Sequence, residues 1–121
     1  MKAVPWSGVQ EDRLIQGIRR QIVTGEKVML GRIRFPKGAK VPAHHHVSEQ
    51  ITHVLTGALA FVLDGKERVL VRAGETLIIP SNMEHSAEAV EATDEIDAFS
   101  PIRTDWLDGS DAYLREGAQT R

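Results

Sequence analysis

The chain has 121 residues, the length at which one domain closes around one core, so a single domain over 1–121 is expected. It contains no cysteine, which excludes disulfides and thiolate metal sites. Fifteen Lys+Arg against 17 Asp+Glu leave a net charge of -2, no electrostatic basis for nucleic acid, and no segment nears the ~20 apolar residues of a membrane span. The expectation is a cytoplasmic protein with no nucleic-acid and no membrane partner.

Taken in chain order, the hydrophobic pattern has a period of two over most of the length, the period of strands. Arg19, Arg20, Lys27, Arg32, Arg34, Lys37 and Lys40 crowd the first third, whereas acidic residues dominate from Glu84 to Asp111. Two readings are open: solvated strand faces, or a few arginines turned into a cavity to meet an anionic substrate. Val28 to Phe35 alternates in its second half. Ala58 to Leu63 and Arg68 to Val71 read as two strands joined at Asp64-Gly65, since both of those residues tolerate the positive φ of a tight hairpin. Further breaks fall at Gly25, Pro36-Lys37-Gly38, Thr56-Gly57, Ala73-Gly74 and Pro80-Ser81-Asn82. Short strands punctuated about every 8–12 residues predict an all-β sandwich or barrel. Only from about Thr104 to Arg115 does the pattern turn helical, with Leu107 and Leu114 on one face and Asp105 placed to help start it.

Four of the five histidines, His44, His45, His46 and His53, lie close together. If that stretch is one strand, His44, His46 and Gln50 share a face, and His45, Glu49, Ile51 and His53 take the other. A His-x-His pair puts two imidazoles about 7 Å apart at Cα, close enough to converge on one ion. Imidazole nitrogen and an amide oxygen suit Zn, Ni, Fe or Mn rather than calcium. A solvated turn is the competing reading, and His85 joins the set only if the fold brings it opposite.

The pattern Gly38-(x5)-His44-x-His46-(x3)-Gln50-(x6)-Gly57, followed by Gly74-(x5)-Pro80-x-Asn82-(x2)-His85, resembles the two motifs of the cupins. Gln50 stands where that family usually has Glu, and Asn82, which tolerates left-handed backbone, where it usually has Gly; Ala89 replaces the usual final Asn. The resemblance implies an all-β double-stranded β-helix, the cupin or jelly-roll barrel, followed here by the short C-terminal helix. It further implies one divalent transition metal (Ni, Mn, Fe or Zn) held by His44, His46, Gln50 and His85. His45 and His53 are then surface or interface residues, and Glu49 replaces Gln50 only through a bulge. Three imidazoles and a neutral amide leave such a site near +2, a stronger Lewis acid than one with a carboxylate, favouring an anionic ligand.

The run from Asp97 to Leu107 adds chemistry. Asp97 and Phe99 share strand parity, Pro101 ends the strand, and Arg103 follows at the mouth. A carboxylate beside a metal can act as general base, and an arginine can clamp a carboxylate while an aromatic ring packs on a sugar. On composition alone, Asp97 capping a turn and Arg103 paired at the surface is the alternative. The run, together with Pro5-Trp6 and Gly17-Ile18-Arg19-Arg20, resembles the pectin-degradation cupins that linearise unsaturated monouronates. That resemblance implies a metal-dependent, non-redox isomerase or lyase converting 4,5-unsaturated monouronates to the open-chain 5-keto-4-deoxyuronate. Asp97 would be the base, and Phe99 and Arg103 would hold a small anionic substrate, a uronate or other sugar. One residue fewer separates the second histidine from Gln50 than in the family pattern. Other activities compatible with the motifs are a dehydratase or lyase on another sugar or a nucleoside aldehyde, an iron-dependent dioxygenase, and a non-catalytic small-molecule-binding cupin. Small cupins commonly pair through N-terminal strands, so a homodimer using His53 or the Val28 to Phe35 strand is expected.

Overall fold

The period-two runs become ten strands in the computed structural model of the protein, which describes residues 1–115: β1 (Glu11–Arg13), β2 (Arg19–Thr24), β3 (Met29–Phe35), β4 (Lys40–His44), β5 (Glu49–Thr56), β6 (Ala58–Leu63), β7 (Glu67–Arg72), β8 (Thr76–Ile79), β9 (His85–Ala89) and β10 (Thr93–Ser100). Alternation sets which side faces in. Along β3, Met29, Gly31, Ile33 and Phe35 are buried, and along β10, Thr93, Glu95, Asp97 and Phe99 are. Positions 116–121 of the expected 1–121 domain lie outside the described residues. No helix among the described residues is long and apolar enough to cross a membrane.

The strands form two antiparallel sheets, β1-β2-β3-β10-β5-β8 and β4-β9-β6-β7. Their inner faces enclose a core that includes Ile18, Met29, Leu59, Phe61, Ile79 and Phe99. The double-stranded β-helix class expected above holds, but the closed barrel does not. Closure needs every edge strand paired, and here the ladders end at β1 and β8 in one sheet and at β4 and β7 in the other. The reason is local: the chain leaves each sheet at corners where proline or a positive-φ glycine interrupts the ladder. Pro36 and Gly38 (φ 86) part β3 from β4, Gly57 (φ 89) parts β5 from β6, and Pro80 ends β8. Asp64 and Gly65 take φ 51 and 67 in the β6–β7 hairpin, and Asn82 takes φ 65, as their side chains allow. The outer face of the larger sheet carries exposed Leu30, Ile51 and Ile78.

The helix is shorter than predicted. α1 runs from Thr104 to Asp108 and stops where Gly109 turns left-handed (φ 79), and a 3-10 turn follows over Ala112–Leu114. Leu107 is exposed and Leu114 buried, so they share no face. Trp106 is the inward residue, and it explains a glycine: a Cβ on Gly31 would lie 2.5 Å from its ring. Two of the early arginines, Arg20 and Arg32, pair with carboxylates outside the cavity of the histidines. Arg32 pairs with Asp94 at 2.7 Å, and the fully buried Arg20 donates to Asp111 at 2.6 Å beneath the Trp106 ring. That buried pair ties the C-terminal segment to β2. Asp111→Ala, which leaves the buried Arg20 charge only Asp12 at 3.5 Å, is expected to cost about 3–5 kcal/mol in urea unfolding; a loss under 1 kcal/mol would show that Asp12 or water compensates Arg20.

Candidate metal centre

Two registers assemble the site. β4 and β9 pair with His44 opposite His85, while β10 and β5 pair with Phe99 opposite Gln50 and Asp97 opposite Thr52. One wall therefore carries imidazoles and the facing wall an amide and a carboxylate. His46 comes from the crossing at 45–48, not from a strand. This corrects the reading of 44–53 as one strand: β4 ends at His44, and β5 begins at Glu49 in the other sheet. His44, His46 and Gln50 meet because the chain crosses between sheets, and common parity along one strand has no part in it. His45 and Glu49 are exposed, and His53 bonds Thr76 Oγ1 at 3.0 Å, away from the cavity.

The ligand atoms of His44, His46 and His85 lie within 4.8 Å of one another, so these three histidines can hold a metal ion. Backbone carbonyls orient every ring. Nδ1 of His44 meets Pro42 at 2.8 Å, that of His46 meets Ser48 at 2.9 Å, and that of His85 meets Met83 at 2.8 Å. A carbonyl can only accept, so each Nδ1 carries the hydrogen and each Nε2 presents a lone pair. Such carbonyl partners are the usual outer support of metal-binding histidines. The buried His85 Nε2 has no hydrogen-bond partner. Gln50 donates through Nε2 to Thr52 Oγ1 at 2.9 Å and Asp97 Oδ1 at 3.4 Å, which turns its Oε1 toward His46 Nε2 at 3.1 Å. Two lone-pair atoms face each other there with no hydrogen between them, a repulsion that a shared cation removes. The orphaned nitrogen and the donor chemistry both fit a metal.

Burial, reinforced by His85, holds the His44 imidazole down to about 3, and burial with Arg103 holds His46 at about 4; burial lowers His85 as well. His44 and His46 thus stay neutral where free imidazole, with a pKa of about 6.5, would protonate, and His85 is shifted in the same direction. Metal affinity is expected to stay flat as pH falls from about 7.5 to about 5.5 and to weaken only below that. Titration against a competing chelator reads this, and a decline starting near 6.5 would contradict it.

The facing wall concentrates charge. Asp97, 4 % exposed, accepts from Thr52 Oγ1 at 2.6 Å. Burial raises its pKa, opposed by hydrogen bonds from Glu95 and Thr52 and by the charge of Arg103. Arg103 is buried, forks onto Asp105 at 2.9 and 2.7 Å, and donates to the Tyr113 hydroxyl at 2.7 Å, leaving Nη1 free. The Tyr113 ring stacks on His44 with centroids 4.2 Å apart, and Phe99 meets His46 edge-on at 5.7 Å. His44, Gln50, His85, Asp97, Phe99 and Arg103 line one cavity. Sequence reasoning missed Thr52, Glu95 and Tyr113. Strand parity could have found Thr52 beside Gln50 and Glu95 beside Asp97. Nothing local marks Tyr113, which arrives by packing against β4.

Comparison with known proteins shows the family of the chain. The cupin domain family matches residues 31–96. The pectin degradation protein KdgF of Dickeya dadantii is 31% identical over 105 residues, covering 85% of this chain and 91% of that protein. The structure of KdgF from a Halomonas species superposes with a TM-score of 0.77 at 32% identity, covering 84% of this chain and 95% of that one. An RmlC-like cupin from Shewanella frigidimarina superposes with a TM-score of 0.77 at 28% identity, over 83% of this chain and 90% of the other.

Proposed function

The chain belongs to the cupin family and is a relative of the pectin degradation protein KdgF, and from that premise we propose that it is a metal-dependent, non-redox isomerase or lyase that converts 4,5-unsaturated monouronates to the open-chain 5-keto-4-deoxyuronate. One observation carries the reading: a neutral donor set stands beside a buried carboxylate and a buried arginine with a free N–H. His44, His46, His85 and, as fourth ligand, Gln50 would hold a divalent metal such as Ni, Mn, Fe or Zn. Bound there, the metal supplies Lewis acidity at a site with no protein carboxylate among its ligands.

The chain's own residues do the rest. Arg103, fixed by Asp105 and Tyr113, offers Nη1 to the substrate carboxylate. Phe99 supplies an apolar face for the sugar ring. Asp97 takes the proton of the anomeric hydroxyl as the C1–O5 bond opens. It returns that proton to C4 as the C5 enolate becomes the ketone, so one proton moves from O1 to C4 and no electron leaves or enters. Thr52 and Gln50 hold the carboxylate in place for both transfers. The test follows the ultraviolet absorbance of a 4,5-unsaturated monouronate with purified, metal-loaded protein under anaerobic conditions. Loss of absorbance above the spontaneous rate is expected; a rate equal to the spontaneous one sinks the assignment, and a requirement for oxygen would point to a dioxygenase.

A further inference from the structure

Four buried side-chain polar atoms among the described residues lack a partner: Arg20 Nε, His85 Nε2, Glu95 Oε2 and Arg103 Nη1. Three of their residues, His85, Glu95 and Arg103, line the same cavity, and Arg20 does not. His85 and Arg103 have roles in the reading above, and Glu95 has none. It faces inward from β10, paired across to Ile33 and Val54, and is 2 % exposed. The cavity wall around it is apolar, with Ile33, Phe35 and Phe61. Its carboxyl shares a hydrogen bond with Asp97, and the charges that act on it, Asp97 and Asp94, are both acidic. Burial together with Asp97 raises its pKa well above the ordinary carboxyl range.

A carboxyl so placed is a cost to the fold. A buried polar atom without a partner loses its hydration and regains nothing, and an apolar side chain of similar volume would avoid that loss. It is not a metal ligand either, because the group that closes to within 4.8 Å contains the three histidines and no carboxylate. The residue that carries this free oxygen lines the cavity.

We propose that Glu95 is a specificity-determining residue of this site: one side of its carboxyl holds Asp97, and the free Oε2 forms a hydrogen bond with a hydroxyl of the bound sugar. This deepens the uronate reading and rests on it. The three orphaned atoms then describe a ligand: an anionic group for Arg103 and the metal that His85 would hold, and a hydroxyl for Glu95. A simple carboxylate would satisfy the first pair and leave Glu95 unmet, so the cavity selects hydroxylated acids.

The test measures binding of two probes by calorimetry to the metal-loaded protein: galacturonate, a saturated uronate that cannot undergo the reaction, and acetate. Glu95→Met should weaken galacturonate about tenfold and leave acetate within about twofold, while its melting temperature equals or exceeds that of the wild type. Glu95→Gln, which keeps a polar group of the same size, should hold galacturonate to within about threefold. The inference is overturned if the galacturonate-to-acetate affinity ratio is the same in Glu95→Met and wild type. It is also overturned if the Met variant melts lower and loses both probes equally, which would make the carboxyl structural. Wild-type turnover of the unsaturated uronate judges the proposed reaction separately, since the affinity ratio needs no chemistry.

Discussion

His85→Ala is expected to empty the metal site and bring uronate linearisation down to the spontaneous rate, the largest effect of any single substitution considered. The three rings are held by carbonyls from Pro42, Ser48 and Met83, so removing one leaves the other two rigidly placed and unable to close around the gap. Two imidazoles and an amide oxygen retain metal far more weakly than three imidazoles do. Elemental analysis should fall from one metal per chain to near zero. The thermal stabilisation from added metal, about 4 kcal/mol at a thousandfold excess over Kd, should vanish with it. A variant that keeps its metal and at least a tenth of its activity would remove His85 from the ligand set. Gln50→Glu tests the same site from the other side. It puts a further acid beside Asp97 and Glu95 in place of a donor and lowers the net charge of the centre, so metal should be retained while uronate binding weakens.

Asp97→Asn should retain metal and fold yet lower kcat by about 10²–10⁴, with KM changed little, because it removes a proton acceptor and not a binding contact. The amide has nearly the same shape, and its oxygen can still accept from Thr52 and Gln50, which now donate to the Asp97 carboxylate at 2.6 and 3.4 Å. The isostere therefore separates chemistry from packing better than alanine would. Steady-state kinetics with a metal assay on the same sample decides the matter. Loss of metal in Asp97→Asn would show that Asp97 acts through the centre, and unchanged kcat would remove it as the base.

Much of this was legible in the chain itself. The alternation along β3 and β10, the hairpin at Asp64-Gly65 and the left-handed Asn82 follow from side-chain sterics that act within a few residues. So do the corners at Gly38 and Gly57. The two histidine motifs resemble a known family closely enough to suggest the site, although His44, His46 and Gln50 do not lie on one continuous strand. The difference has a physical source: period-two counting assumes an unbroken strand, and nothing at His45 to Ser48 announces a change of sheet. The helix was overextended for a related reason. Leu107 and Leu114 have helical spacing, but Gly109 in the left-handed region ends the helix between them.

Local chemistry, then, determined the strands, their turns and the kinds of ligand available: imidazole, amide and carboxylate, with no thiolate. Only the tertiary structure decided how they meet. The Arg20–Asp111 pair spans 91 positions of sequence and brings Tyr113 against His44. Glu95, too, ends buried with a free oxygen. Each of these depends on which distant surface excludes water from which side chain, and that is a property of the packed chain that no window of sequence contains.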